Sequence, residues 1–71
     1  MDTQNLVRMA NRIGDFFEAM PDRGEALEGI ANHIRKFWEP RMRREIMAHI
    51  EAGGAGLSEI VAEALRTHMP A

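Results

Sequence analysis

The sequence contains no cysteine, and this absence excludes several classes of site. The chain can form no disulfide, no thiolate zinc site and no iron–sulfur cluster with its own ligands. No window approaches the roughly 18 consecutive apolar residues of a membrane span. No basic N-terminal segment is followed by an apolar run, so a secretory signal is not expected. These absences favour a cytoplasmic protein that has no redox centre of its own.

The chain has 71 residues, which predicts a single domain over residues 1–71. A domain of this length buries only about 60% of the surface that its unfolded chain exposes. A core of this size rarely supplies more than ~3–5 kcal/mol, and proteins this small usually gain stability from disulfides, a metal or a partner. Because cysteine is absent, a partner or self-association is the expected source. The six methionines fit either an irregular core or an adaptable binding surface.

The first half of the chain has the pattern of two amphipathic helices. Apolar residues recur at steps of three and four, which predicts helices over residues 3–20 and 23–38. Pro21 separates them, because the residue before a proline is pushed away from helical angles. Asp22, with a glutamate three residues later, has the spacing of a capping box at the start of the second helix. Gly29 weakens that helix but lets another helix pack closely.

The second half of the chain contains start and stop signals for two shorter helices. Pro40 fits the first position of a third helix, which is predicted to end near residue 52. The glycine-rich segment 53–56 then stops the helix, and Ser58 is expected to cap a short fourth helix. Pro70 closes the chain. Since no strand pattern occurs, the prediction is all-α, a small bundle of three main helices plus a short C-terminal helix.

The sequence predicts no catalytic, cofactor-binding or metal site. No two histidines have the spacing of a helical zinc site. His33 falls at the edge of an apolar stripe, where one hydrogen bond is expected, whereas His49 and His68 are expected to face solvent. The carboxylates are isolated on helical faces, without the cleft that general acid–base catalysis needs. The glycines of 53–56 lack the lysine and hydroxyl residue of a phosphate-binding loop.

Charge is unevenly distributed along the chain, whose net charge is −2. Residues 35–44 contain five basic residues against one glutamate, and Phe37 and Trp38 lie among them. The basic residues are Arg35, Lys36, Arg41, Arg43 and Arg44. A solvated basic corner, a nucleic-acid site and a protein interface all fit this segment. The acidic balance of the whole chain disfavours nucleic acid, and tryptophan and arginine dominate interface energies, so a protein interface is favoured.

Three segments carry a resemblance to a known family. Residues 9–17 (Met-Ala-Asn-Arg-Ile-Gly-Asp-Phe-Phe) resemble the first helix of the delta subunit of soluble NAD-dependent formate dehydrogenases. His33 with residues 37–43 is similar to that family's central signature, through Phe-Trp, Pro and Arg-Met-Arg. The Gly-Gly-Ala-Gly-Leu at 53–57 is similar too. The resemblance extends over residues 6–65, and it departs at Arg12, where the family usually has glutamine.

The resemblance implies an accessory subunit that holds no cofactor. In that family a large subunit carries a molybdenum or tungsten pterin and iron–sulfur clusters, and smaller subunits pass electrons to NAD. The delta subunit is associated with formation or stability of the active enzyme. The resemblance thus implies a large-subunit partner, with the smaller subunits as further candidates. The charge balance and the lack of a long apolar run favour neither nucleic acid nor a membrane as a partner. The expected interface consists of Phe37, Trp38, Pro40, Arg41 and Arg43.

Two other functions remain open at this point. One is a small helical regulatory or nucleic-acid-binding module, and the other is a homodimeric helical interaction protein. A gel shift with random duplex DNA at several salt concentrations distinguishes the first. Sedimentation at two protein concentrations distinguishes the second, and also reports self-association of the isolated chain.

Overall fold

The computed structural model describes residues 2–69, and these form four α-helices joined by short connections. Within that range no strand is present, so the predicted all-α fold is confirmed. The first helix is two residues shorter than predicted, and the second and third are each shorter by one. Pro70, predicted to close the chain, lies outside the described residues. The helices are α1 (Thr3–Glu18), α2 (Arg23–Phe37), α3 (Pro40–Glu51) and α4 (Glu59–His68).

Local signals account for where the first three helices begin. The Asp2 carboxylate accepts a hydrogen bond from the backbone N–H of Gln4 at 3.2 Å. The Asp22 carboxylate accepts one from the N–H of Glu25 at 3.1 Å, as its capping position predicts. Each bond satisfies a backbone donor that has no partner inside the helix. Helix α3 begins at Pro40, where the missing N–H leaves no bond unmade.

The core draws on all four helices. Helix α2 packs against α1 and α4, and α3 packs against the same two helices. The largest fully buried side chains come from every element of the bundle. They are Leu6, Ile30, Ile34, Ile46, Leu65 and Val61.

Two glycines let α1 approach its neighbours closely. A Cβ atom on Gly29 would lie 2.5 Å from the Phe17 ring, so only glycine leaves room for that ring on α2. The prediction that Gly29 permits close packing is confirmed. A Cβ atom on Gly14 would lie 2.5 Å from a methyl group of Val61 on α4. The sequence pattern did not indicate this second contact, because a glycine on an amphipathic helix does not show which helix it faces.

The start of α4 is held by a residue from α1. The Asn11 amide donates to the Gly56 carbonyl at 2.9 Å, and its oxygen accepts from the Ser58 N–H at 2.9 Å. Ser58 occupies the N-cap position, as predicted, but its side chain makes no capping hydrogen bond. The Ser58 hydroxyl is buried without a partner among residues 2–69. Gly56 has φ +86°, a conformation that glycine adopts without strain.

Candidate protein-interaction surface

Trp38 lies in the core, with only 5% of its surface exposed. It follows the last turn of α2, four residues after the buried Ile34, and so continues the apolar stripe of that helix. Its backbone N–H still donates to the Ile34 carbonyl at 3.0 Å. Trp38, one of the predicted interface residues, therefore offers little surface of its own to a partner. In this chain the indole ring stabilises the bundle and supports the corner between α2 and α3.

Arg43 is half-buried and connects α3 to the end of α2. Its guanidinium donates to the Arg35 carbonyl at 2.8 Å and to the Trp38 carbonyl at 3.2 Å. Both acceptors lie at the C-terminus of α2, where carbonyls lack helical partners and a positive charge is favoured. Arg43 projects from the apolar side of α3, next to the buried Ile46, and this position explains its inward contacts.

The other predicted interface residues lie at the surface. Phe37 is 71% exposed, and Pro40 and Arg41 are exposed as well. The Phe37 ring packs against His33, with 4.8 Å between ring centroids and 43° between the planes. That a partner contacts these residues stays a prediction. Of the five predicted residues, these three are accessible, while Trp38 and Arg43 form the structure beneath them.

Four aromatic side chains form a continuous surface on α1 and α2, which we call the aromatic patch: Phe16, Phe17, His33 and Phe37. Phe16 is 75% exposed and meets Phe17 edge to face, with 5.1 Å between ring centroids. Phe16, Phe17 and His33 line one groove of about 350 Å³ together with Ile13 and Arg12. His33 therefore connects the groove to Phe37.

The sequence pattern did not indicate the exposure of Phe16. Phe16 and Phe17 are adjacent in the first helix, where apolar residues recur at steps of three and four. Adjacent residues on a helix point about 100° apart, so only one of two neighbouring phenylalanines faces the core fully. The available signal was this adjacency. In the structure Phe17 packs on Gly29 and Phe16 remains outside.

The basic residues of 35–44 carry no neutralising partner within the part of the chain that the structure describes. There the only ion pair joins Arg23 to Glu63, at 2.6 Å, and both belong to other segments. The hydrogen bonds that Arg23 donates to the Glu63 carboxylate, followed by the negative charge of that carboxylate, raise the pKa of the Arg23 guanidinium. Arg35 donates instead to the His68 carbonyl at 2.6 Å, and a carbonyl leaves the positive charge uncompensated.

The histidines lie apart from one another and contact their own surroundings. His49 and His68, predicted to face solvent, are both half-buried. A ring nitrogen of His49 lies 2.8 Å from the Ala55 carbonyl, and one of His68 lies 2.7 Å from the Thr67 hydroxyl. Among residues 2–69, no three histidine or carboxylate side chains come together in a group that could hold a metal ion. In the same range no helix is long and apolar enough to cross a membrane.

Comparison with known proteins places the chain in a family. No curated protein and no solved structure shows a significant match to it. The family described as NADH-dependent formate dehydrogenase delta subunit FdsD matches residues 5–65 of the 71. This range includes the whole aromatic patch and the basic segment 35–44. The chain therefore belongs to the family of FdsD, the delta subunit of NADH-dependent formate dehydrogenase.

Proposed function

We propose that this chain is a non-catalytic accessory subunit, which binds other subunits of an NADH-dependent formate dehydrogenase in the cytoplasm and supports assembly or stability of the complex. Membership of the delta-subunit family implies that partner subunits exist. The observation that carries the proposal is the aromatic patch. Phe16 and Phe37 are the two large apolar side chains that residues 2–69 leave exposed, and both belong to it.

The aromatic patch has the composition of an interface core. Aromatic residues are enriched where partners meet, and exposed apolar groups that cluster mark interaction sites. Phe37 also lies beside Pro40 and Arg41, which are exposed at the start of α3. An arginine at the edge of an aromatic cluster supplies the polar rim that surrounds a buried anchor. We therefore propose an interface formed by the aromatic patch together with Pro40 and Arg41.

The proposed partner is the large subunit that carries the molybdenum or tungsten cofactor, with the smaller subunits as alternatives. A chain that binds only the folded, assembled form of its partner stabilises that form by mass action. At a concentration 100 times the Kd this amounts to about 2.7 kcal/mol, enough to shift unfolding of the partner measurably. The chain needs no cofactor of its own for this role.

The test is co-purification of the large subunit with the tagged chain and with the double variant Phe16→Ser, Phe37→Ser. Serine and phenylalanine have similar helix propensities, so the helices should persist, and circular dichroism checks this. We expect recovery of the large subunit to fall by roughly tenfold or more, as for loss of interface anchors.

The matched control replaces Arg8 and Arg66 by serine, because both are exposed helical residues outside the proposed interface. This control should recover the large subunit as the wild type does. Equal recovery by the double variant would overturn the proposed interface. Failure of the wild-type chain to recover any formate dehydrogenase subunit would overturn the association itself.

The aromatic patch also favours a second candidate function, a homodimer of this chain. Two copies that cover their exposed phenylalanines against each other would bury the same side chains. Sedimentation at two protein concentrations distinguishes the candidates. A dimer that persists in the presence of the large subunit would support the homodimeric function over the accessory one.

A further inference from the structure

A second groove lies where α3 meets the ends of α2 and α4, and none of its lining residues belongs to the aromatic patch. We call it the basic groove, and its volume is about 570 Å³. Part of its lining is apolar, contributed by Pro40, Met47, Ala48 and Met69. Methionine side chains are flexible and polarizable, so such a surface adapts to an inserted apolar group.

Three guanidinium groups line the same groove, from Arg35, Arg43 and Arg44. Glu51 also lines it, two helical turns from Arg44, and forms no ion pair among the residues that the structure describes. None of the three arginines has a carboxylate partner there. The groove therefore combines an apolar surface with a local excess of positive charge.

Two of these arginines are held in place before any partner arrives. Arg35 donates to the Asn32 side chain at 2.9 Å and to the His68 carbonyl at 2.6 Å. Arg43 donates to two carbonyls at the end of α2. Because these bonds restrict the side chains, less conformational entropy is lost when a ligand binds. Arg44 is exposed and makes no side-chain hydrogen bond within residues 2–69, so all of its donors are available.

We infer that the basic groove binds a short acidic segment of another formate dehydrogenase subunit, one that also carries a large apolar side chain. The inference rests on the proposed function for the identity of the partner. Carboxylates match the charge of the groove, and a guanidinium can bind a carboxylate through two parallel hydrogen bonds. The apolar side chain would lie against Met47 and Met69. Nucleic acid fits less well, since its phosphate-rich surface offers little aliphatic area to the methionines and the chain is acidic overall.

The experiment uses the full chain, labelled with ¹⁵N, and short overlapping peptides that cover the other formate dehydrogenase subunits. We expect the binding peptides to have a net negative charge and at least one Leu, Ile, Met or Phe. Their NMR shift changes should centre on Arg44, Met47 and Ala48. Arg44→Glu and the milder Arg44→Gln should both weaken binding, the former by roughly tenfold or more. Arg8→Glu, an exposed charge reversal on α1, should leave it unchanged.

Several outcomes would overturn the inference while leaving the proposed function intact. They are the absence of any binding peptide, binders without acidic residues, shift changes centred on the aromatic patch, and equal effects of Arg44→Glu and Arg8→Glu. Binding of random duplex DNA, or of a second copy of the chain, at Arg44 and Met47 would assign the groove to that ligand instead. The proposed function itself would be overturned by a different result, the failure of the wild-type chain to co-purify with the enzyme.

Discussion

Neighbouring residues at the end of α2 have opposite surroundings. Trp38 is buried in the core, whereas Phe37 beside it is exposed in the aromatic patch. A buried aromatic ring contributes to stability in proportion to the apolar surface that it removes from water. An exposed ring contributes little to folding, and it becomes available to a partner. Of these two adjacent aromatic residues, Trp38 therefore serves stability, and Phe37 is available for binding.

Truncation of the two aromatic residues should confirm that separation. Trp38→Ala removes a buried ring, which usually lowers the free energy of unfolding by about 3–5 kcal/mol. That is comparable to the whole stability of a core this small, so the variant should lose its cooperative urea transition. Phe37→Ala should change the free energy of unfolding by less than about 1 kcal/mol. Urea titration followed by circular dichroism measures both, and similar losses would contradict the assignment.

Arg43 and Arg44 form a second matched pair. Arg43→Gln removes the charged donor from two carbonyls at the end of α2, and this should lower the free energy of unfolding by about 1–2 kcal/mol. Arg44→Gln removes an exposed side chain without such bonds, so its effect should stay within about 0.5 kcal/mol. The fluorescence of Trp38, the only tryptophan, reports the urea transition of both variants. If Arg44→Gln lowered the free energy of unfolding as much as Arg43→Gln or more, the hydrogen bonds of Arg43 to the end of α2 would not be stabilising.

Among the elements, the close approach of α1 to α2 depends on the Phe17 ring, which packs directly over Gly29. The higher helix propensity of alanine means that Gly29→Ala alone would stabilise α2 by up to ~1 kcal/mol. The substitution also places a methyl group 2.5 Å from the Phe17 ring, and crowding of this kind costs about 1–3 kcal/mol. We therefore expect a net loss of up to about 2 kcal/mol in the free energy of unfolding, measured by urea titration.

A double-mutant cycle identifies the cause of that loss. In a Phe17→Leu background the smaller side chain leaves room, so Gly29→Ala should become neutral or stabilising. A loss that persists at full size in that background would contradict close packing as the explanation. Circular dichroism of the wild type, the two single variants and the double variant should show equal helix content, so that differences in stability reflect packing.

The elements were predictable where their signals are local. Apolar periodicity, Pro40 and the Asp22 cap predicted the helices and most of their bounds. The position of Ser58 before α4 was predictable, but its fixation was not, because Asn11 binds the Ser58 N–H from 47 residues away. No spacing rule connects residues so far apart in sequence. The fold class was therefore within reach of the sequence, and the contacts that lock α4 were not.

The candidate site was predictable in part. Segment 35–44 was singled out by its charge, and Phe37 and Arg41 are exposed there, whereas contact with a partner stays a prediction. Burial of Trp38 and exposure of Phe16 depend on how the helices rotate against each other, which a helical stripe with two adjacent aromatics leaves undetermined. The basic groove depends on the end of α4 meeting α3, another contact between distant parts of the chain.

At the scale of the whole molecule, two accessible surfaces lie on a bundle with a small core. The aromatic patch on α1 and α2 offers apolar anchors, and the basic groove beside α3 offers positive charge. A small subunit with this arrangement can contact a partner through both surfaces. Because the chain is short, binding should stabilise it as well as its partner. We therefore propose that this protein acts through its surface, by stabilising an enzyme whose chemistry lies in other subunits.

The most direct test is thermal inactivation of formate oxidation by a complex purified without this chain, measured while the chain is added back. If the chain stabilises the complex, the half-life of activity should rise with chain concentration and then saturate, as mass action requires. The double variant Phe16→Ser, Phe37→Ser should have no such effect at the same concentrations. A half-life that stays unchanged at saturating concentrations of the wild-type chain would contradict the proposed stabilisation of the complex.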